Sequence, residues 1–194
     1  LIPAMGCTEP IAIAYAAAKA KQALGTKPER CCVEVSGNII KNVKAVTVPN
    51  TGGLKGIEAA VTAGVVAGKP ELELEVLSQV TPEEIAEMGV FLREVPIEVE
   101  PARGDRVFLI RVTLFGGGHQ SFCEILDYHT NVTCVRRDDE VLFEKTAEDS
   151  GSAQQTDRSV LSVDEIVDFA DCLDVEDVRE VLERQIAYNS AISQ

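Results

Sequence analysis

The chain has 194 residues, an apolar fraction of 45% and an aromatic fraction of 5% with no Trp, so any core must be built from Ala, Val, Ile and Leu. Its formal net charge of −14 repels phosphate backbones and anionic lipid, which argues against nucleic acid and membrane surfaces as partners. No apolar run reaches the length of a membrane span, and no secretory leader is visible, so a cytoplasmic protein is expected.

The chain opens on Leu1-Ile2-Pro3, inside what reads as a structured segment, and the protein is expected to start upstream. Residues 1–7 read as a loop. Thr8-Glu9-Pro10 then reads as a helix start, with Thr8 as cap, Glu9 at the positive end and Pro10 in the first turn. Ile11 to Leu24 is an Ala-rich helix closed by Gly25. Cys31 to Ser36 reads as a strand, and Asn38 to Val48 as a second extended segment ended by Pro49. Pro49-Asn50-Thr51-Gly52-Gly53 is a turn. Leu54 to Ala67 is a second small-residue helix, and residues 72–77 fit no single pattern. Thr81-Pro82-Glu83-Glu84 starts a helix over residues 85–93.

A β region follows, with strands read over 97–100, 106–115, 121–126 and 131–137 and a hairpin turn at Gly116-Gly117-Gly118. Residues 146–158 are polar and acidic and read as a flexible linker between a core over residues 1–145 and a helical segment over 159–194. The last segment carries two acidic amphipathic helices, 163–169 and 175–192. Half of the 32 acidic residues lie between Asp138 and Glu183. Helices flank the β-rich centre without regular alternation. The expected fold is therefore α+β, an antiparallel or mixed sheet with flanking Ala-rich helices.

Of the six cysteines, none forms a CxxC pair, and reduced thiols are the expectation. Cys7 stands out because it directly precedes the inferred helix cap, where the helix dipole favours a thiolate. His129, between two strands, is a candidate acid or base. The amides of Gly52 and Gly53, ahead of a helix, could hold a carboxylate beside Thr51. The glycines match neither a Walker loop nor GxGxxG. Cys123 and Cys134, with His119 and His129 nearby, match no standard zinc spacing.

Several segments together resemble the L-cysteine desulfidase family, relatives of the serine dehydratase alpha chain. They are Pro3-Ala4-Met5-Gly6-Cys7-Thr8-Glu9-Pro10, Asn38 with Lys41-Asn42, Val48-Pro49-Asn50-Thr51-Gly52, His129-Thr130-Asn131-Val132 and Asn189-Ser190-Ala191-Ile192-Ser193. The resemblance implies an iron–sulfur lyase turning L-cysteine into pyruvate, ammonia and sulfide, with L-serine dehydration as the close alternative. It implies a 4Fe–4S cluster with Cys7 as one ligand and the others in a missing C-terminal catalytic half. His129 is then the expected catalytic residue, and Thr51, Gly52, Gly53, Asn38 and Asn131 the residues around a small amino-acid substrate. This chain alone would be inactive. A homodimer is expected on general frequency. The rival from another class is a regulatory module, with the helices at 11–24 and 54–67 docking on another domain.

Overall fold

A computed structural model describes residues 4–145 and 161–193, which fall in two separate units. The linker read over 146–158 lies outside the described residues.

The first unit is α+β, as expected. Its sheet has six strands: β1 (Arg30–Val35), β2 (Ile97–Pro101), β3 (Leu109–Gly116), β4 (His119–Leu126), β5 (Val132–Arg137) and β6 (Glu140–Glu144). Their order is β2-β1-β3-β4-β5-β6. Only β1 and β2 run parallel; the other pairs are antiparallel. The parallel pair requires a long crossover. That crossover holds α2 (Gly37–Val43), α3 (Gly56–Ala67), a short 3-10 turn (Pro70–Glu75) and α4 (Pro82–Glu94).

Period-two alternation gives the sheet a dry face and a wet face. Cys31, Val33 and Val35 of β1, Ile110, Val112 and Leu114 of β3, and Cys123 and Ile125 of β4 are buried. Helix α1 (Thr8–Leu24) packs on this side, against β3, β4 and β5. The wet face carries a charge ladder, with Arg111 Nε 2.7 Å from Glu124 and its Nη1 3.6 Å from Glu34. Such half-exposed pairs contribute only about 0–1 kcal/mol each. Their value is to keep one face of an antiparallel sheet compatible with water.

The small residues of α1 and α3 serve the two helices' mutual contact. A methyl group placed on Gly64 would collide with the carbonyl oxygen of Ala14, so the two helix backbones are in close contact there. The expectation that these helices dock on another domain is corrected: both are buried in this unit's own core. Helix α4 matches its reading, with Thr81 and Glu84 forming a reciprocal capping box.

Two local readings are corrected. The segment read as extended over 38–48 begins with α2. Its β-branched content suggested a strand, but Ile39 and Val43, four apart, are the buried pair, which is helical spacing. The second correction is β6, which follows a turn at Asp138, held at φ 51°, and pairs with β5. Its three central apolar residues, Val141, Leu142 and Phe143, are too short a run to announce a strand, and all remain exposed.

The second unit contains α5 (Val163–Cys172) and α6 (Val175–Ser193). Ser162 caps α5: its hydroxyl accepts from Glu165 N at 3.2 Å, while Glu165 accepts from Ser162 N at 3.3 Å. No side chain of α5 is buried.

Candidate functional site

Three side chains, those of Cys7, Thr8 and Asn42, converge on the Glu9 carboxylate at the N-terminus of α1. The cap position is Cys7 rather than Thr8, and its extended backbone (φ −60°, ψ 120°) leads into the helix. Gly6 precedes it at φ 142°, a conformation that disfavours any side chain, and packs against the Pro49 ring. The cap makes no side-chain bond to the helix amides. Instead the Cys7 thiol donates to Glu9 Oε2 at 3.2 Å. Thr8 donates to the same oxygen at 3.5 Å, and Asn42 Nδ2 of α2 donates to Glu9 Oε1 at 3.3 Å. His129 makes no hydrogen bond to this group among the described residues, but it lies near enough to favour the Glu9 carboxylate.

Electrostatics assigns the proton within this group. Burial pushes the Cys7 thiol up, and its bond to the Glu9 carboxylate and that group's charge push it further. The expected thiolate at the helix end is therefore corrected: in this arrangement sulfur keeps its proton, because burial and then the neighbouring carboxylate both disfavour the charged form. Burial works to raise Glu9 as well. The bonds from Cys7, from its own backbone amide and from Asn42, together with His129, outweigh burial and hold the Glu9 carboxyl below its ordinary value.

His129 is half-buried, and its ring packs on Phe108 with centroids 4.6 Å apart. Burial lowers its pKa, and the Glu9 charge only partly restores it. Its Nε2 is buried and has no hydrogen-bond partner among the described residues. A neutral imidazole with a free nitrogen is a competent proton acceptor.

The other candidates lie differently. Asn38 is exposed on α2, one turn before Asn42 and on the same helix face. Thr51 is buried and donates to Val48 O at 2.8 Å, which staples its own loop. Gly52 and Gly53 are exposed in that loop, both at positive φ. Asn131 holds the turn before β5: its Nδ2 donates to Leu126 O at 2.7 Å and its Oδ1 accepts from Lys145. An open groove of about 500 Å³ flanked by Tyr15, Lys19, Val135, Leu142, Phe143 and Lys145 runs beside α1, and none of the candidate residues lines it. Sequence reasoning singled out Cys7 and His129 but saw Glu9 only as a helix-dipole partner. The Cys-x-Glu spacing at a helix start was the available signal.

The implied 4Fe–4S cluster can be tested against these donors. Cys31, Cys123 and Cys134 are buried in the sheet, Cys32 is half-buried on its wet face, and Cys172 belongs to the second unit. Among the described residues no group of three His, Cys, Asp or Glu is arranged to hold a metal. The residues present therefore offer one thiol and do not by themselves make a cluster site.

No family model matches the chain. It is similar over its whole length to proteins named UPF0597. It is 48% identical to the one from Desulfitobacterium hafniense over 193 residues, 42% to that of Fusobacterium nucleatum over 194, and 40% to that of Treponema denticola over 195. In each case all of this chain is covered but only 45% of the relative, so the chain spans less than half the length of the curated relatives it matches. This overturns the assignment to the L-cysteine desulfidase family, since the relatives that match across the chain carry the UPF0597 name. The chain is thus similar, from end to end, to one portion of the longer UPF0597 proteins, whose names state no reaction.

Proposed function

We propose that this chain contributes part of the active site of a lyase that carries out β-elimination on a small amino acid, L-cysteine or L-serine. The observation that supports the reading is the hydrogen-bonded cluster of Cys7, Glu9 and Asn42, with His129, whose buried Nε2 has no partner among the described residues, near enough to bias the Glu9 carboxyl. In this reading His129, neutral near pH 7, takes the α-proton. The electron pair released from the Cα–H bond forms the Cα–Cβ double bond as the bond to the β-sulfur or β-oxygen breaks. The leaving group departs with that bond's electrons and gains a proton. The resulting aminoacrylate tautomerises to an imine, and water converts the imine to pyruvate and ammonia.

Glu9 fixes the Cys7 thiol and the Asn42 amide in one geometry, which is the positioning such a site needs. In the same proposal Cys7, once it gives up the proton it now donates to Glu9, would be this chain's one ligand to an iron–sulfur centre whose remaining ligands lie outside it.

The test is anaerobic assay of the full-length gene product for pyruvate from L-cysteine and from L-serine, with sulfide measured in parallel. Pyruvate formation that falls at least a hundredfold in His129→Ala supports the reading. An active enzyme unaffected by that substitution, or no pyruvate from either substrate, overturns it.

A further inference from the structure

Within the second unit, taken by itself, α5 and α6 leave an apolar surface uncovered. On α5, Val163, Ile166, Val167 and Phe169 share one face and are 52–79% exposed. Asp164, Asp168 and Asp171 occupy the opposite face, so the helix is cleanly divided. Helix α6 repeats the pattern, with Val175, Leu182 and Ile186 exposed along one side. Its two arginines are engaged within the helix: Arg179 pairs with Glu176 and Glu183, and Arg184 with Glu180. Among the described side chains of this unit, none on either helix is buried, so the face their sequence built is unused within it. Monomeric surfaces rarely leave so continuous a patch open.

From this surface we infer that the apolar face of α5 and α6 is a docking site for the portion of polypeptide that the longer UPF0597 proteins carry outside the region matching this chain, and that this portion meets it with an apolar surface rimmed by basic residues. Length is one argument. More than half of each relative lies outside the match, while the match itself extends over α5 and α6. Charge is the other. Residues 161–193 hold nine acidic side chains against two arginines, both already paired. A second copy would bring the same excess of negative charge to the same face and be repelled. A basic rim would find Asp164, Asp168, Asp171 and Asp177 unpaired with any cation of their own helices.

The test is co-expression of the 194-residue chain with the unmatched remainder of the Desulfitobacterium hafniense relative, followed by affinity capture and light scattering. The expected result is a 1:1 complex whose yield falls at least tenfold in Ile166→Lys/Phe169→Lys and whose stability declines as salt rises. Val107→Lys, at an exposed position of the first unit, is expected to bind like the parent. Circular dichroism of the double variant checks that its helices persist. Equal capture by the double variant overturns the inference. So does recovery of the remainder without this chain bound, or a dimer of this chain alone that the double variant dissolves.

Discussion

At Cys7 the decisive comparison is between a helix dipole and a carboxylate. The dipole's partial charge at an N-terminus is worth about 0.3–1 kcal/mol at an exposed site. Burial of the thiol, and after it a full negative charge in hydrogen-bond contact, outweigh the dipole, so the thiol donates to Glu9 and holds its proton. The same reasoning predicts His129. Burial lowers its pKa and Glu9 raises it, so burial dominates. In NMR titrations of the isolated chain its ring should titrate below the ordinary 6.5, and further below in Glu9→Gln, because the opposing negative charge is removed. An upward movement in that variant would mean the ring does not sense Glu9. The linkage has a defined sign. A histidine whose folded pKa is lowered binds fewer protons folded than unfolded, so its contribution is destabilising as pH falls below the unfolded value. Thiol labelling gives a second check. Burial pushes Cys31 and Cys123 up to about 12. At pH 8 iodoacetamide should spare both in the native chain while modifying the exposed Cys172 rapidly, as read by mass spectrometry.

At the scale of elements, two glycines in helices should respond oppositely to the same substitution. Gly64→Ala drives a methyl into the Ala14 carbonyl, and the α1–α3 contact must open. A loss of about 1–3 kcal/mol is expected from such overpacking. Gly89 of α4 has only the flexible end of Arg93, at 3.7 Å, near its added methyl. Gly89→Ala should instead stabilise by about 0.5–1 kcal/mol, the helix-propensity gain. Urea denaturation of both variants measures the contrast, and equal effects would contradict the packing described. These elements also show what the sequence makes legible. The Ala-rich run of α1, the Thr81 cap and the alternation in β3 and β4 each carry a local signal stronger than its surroundings. Helix α2 and strand β6 do not. In α2, β-branched residues meet helical spacing over only seven positions. In β6, pairing with β5 supplies what three apolar residues cannot.

At the scale of the whole molecule, the candidate site is assembled by topology rather than by any motif. The long crossover between β1 and β2 carries Asn42 to Glu9 across 33 residues of sequence, and the β4–β5 turn supplies His129. Cys7 and His129 were readable as chemical residues, but the bonding of Cys7 and Asn42 to one Glu9 carboxylate was not, because those contacts depend on where α2 returns to α1. Thr51 shows the converse. Its place before two glycines suggested a ligand contact, whereas its hydroxyl closes its own loop. Among the described residues no helix is long and apolar enough to cross a membrane.

The central claim is that Cys7, Glu9, Asn42 and His129 form one working unit in a β-eliminating lyase. The most direct test is the rate of pyruvate formation by the full-length gene product, purified anaerobically, comparing the parent with Glu9→Gln, His129→Ala and the double variant. One shared unit predicts that each single substitution lowers kcat strongly and that the double variant is far less impaired than the product of the two effects. Losses that simply multiply, or a Glu9→Gln enzyme with unchanged kcat, would contradict the account.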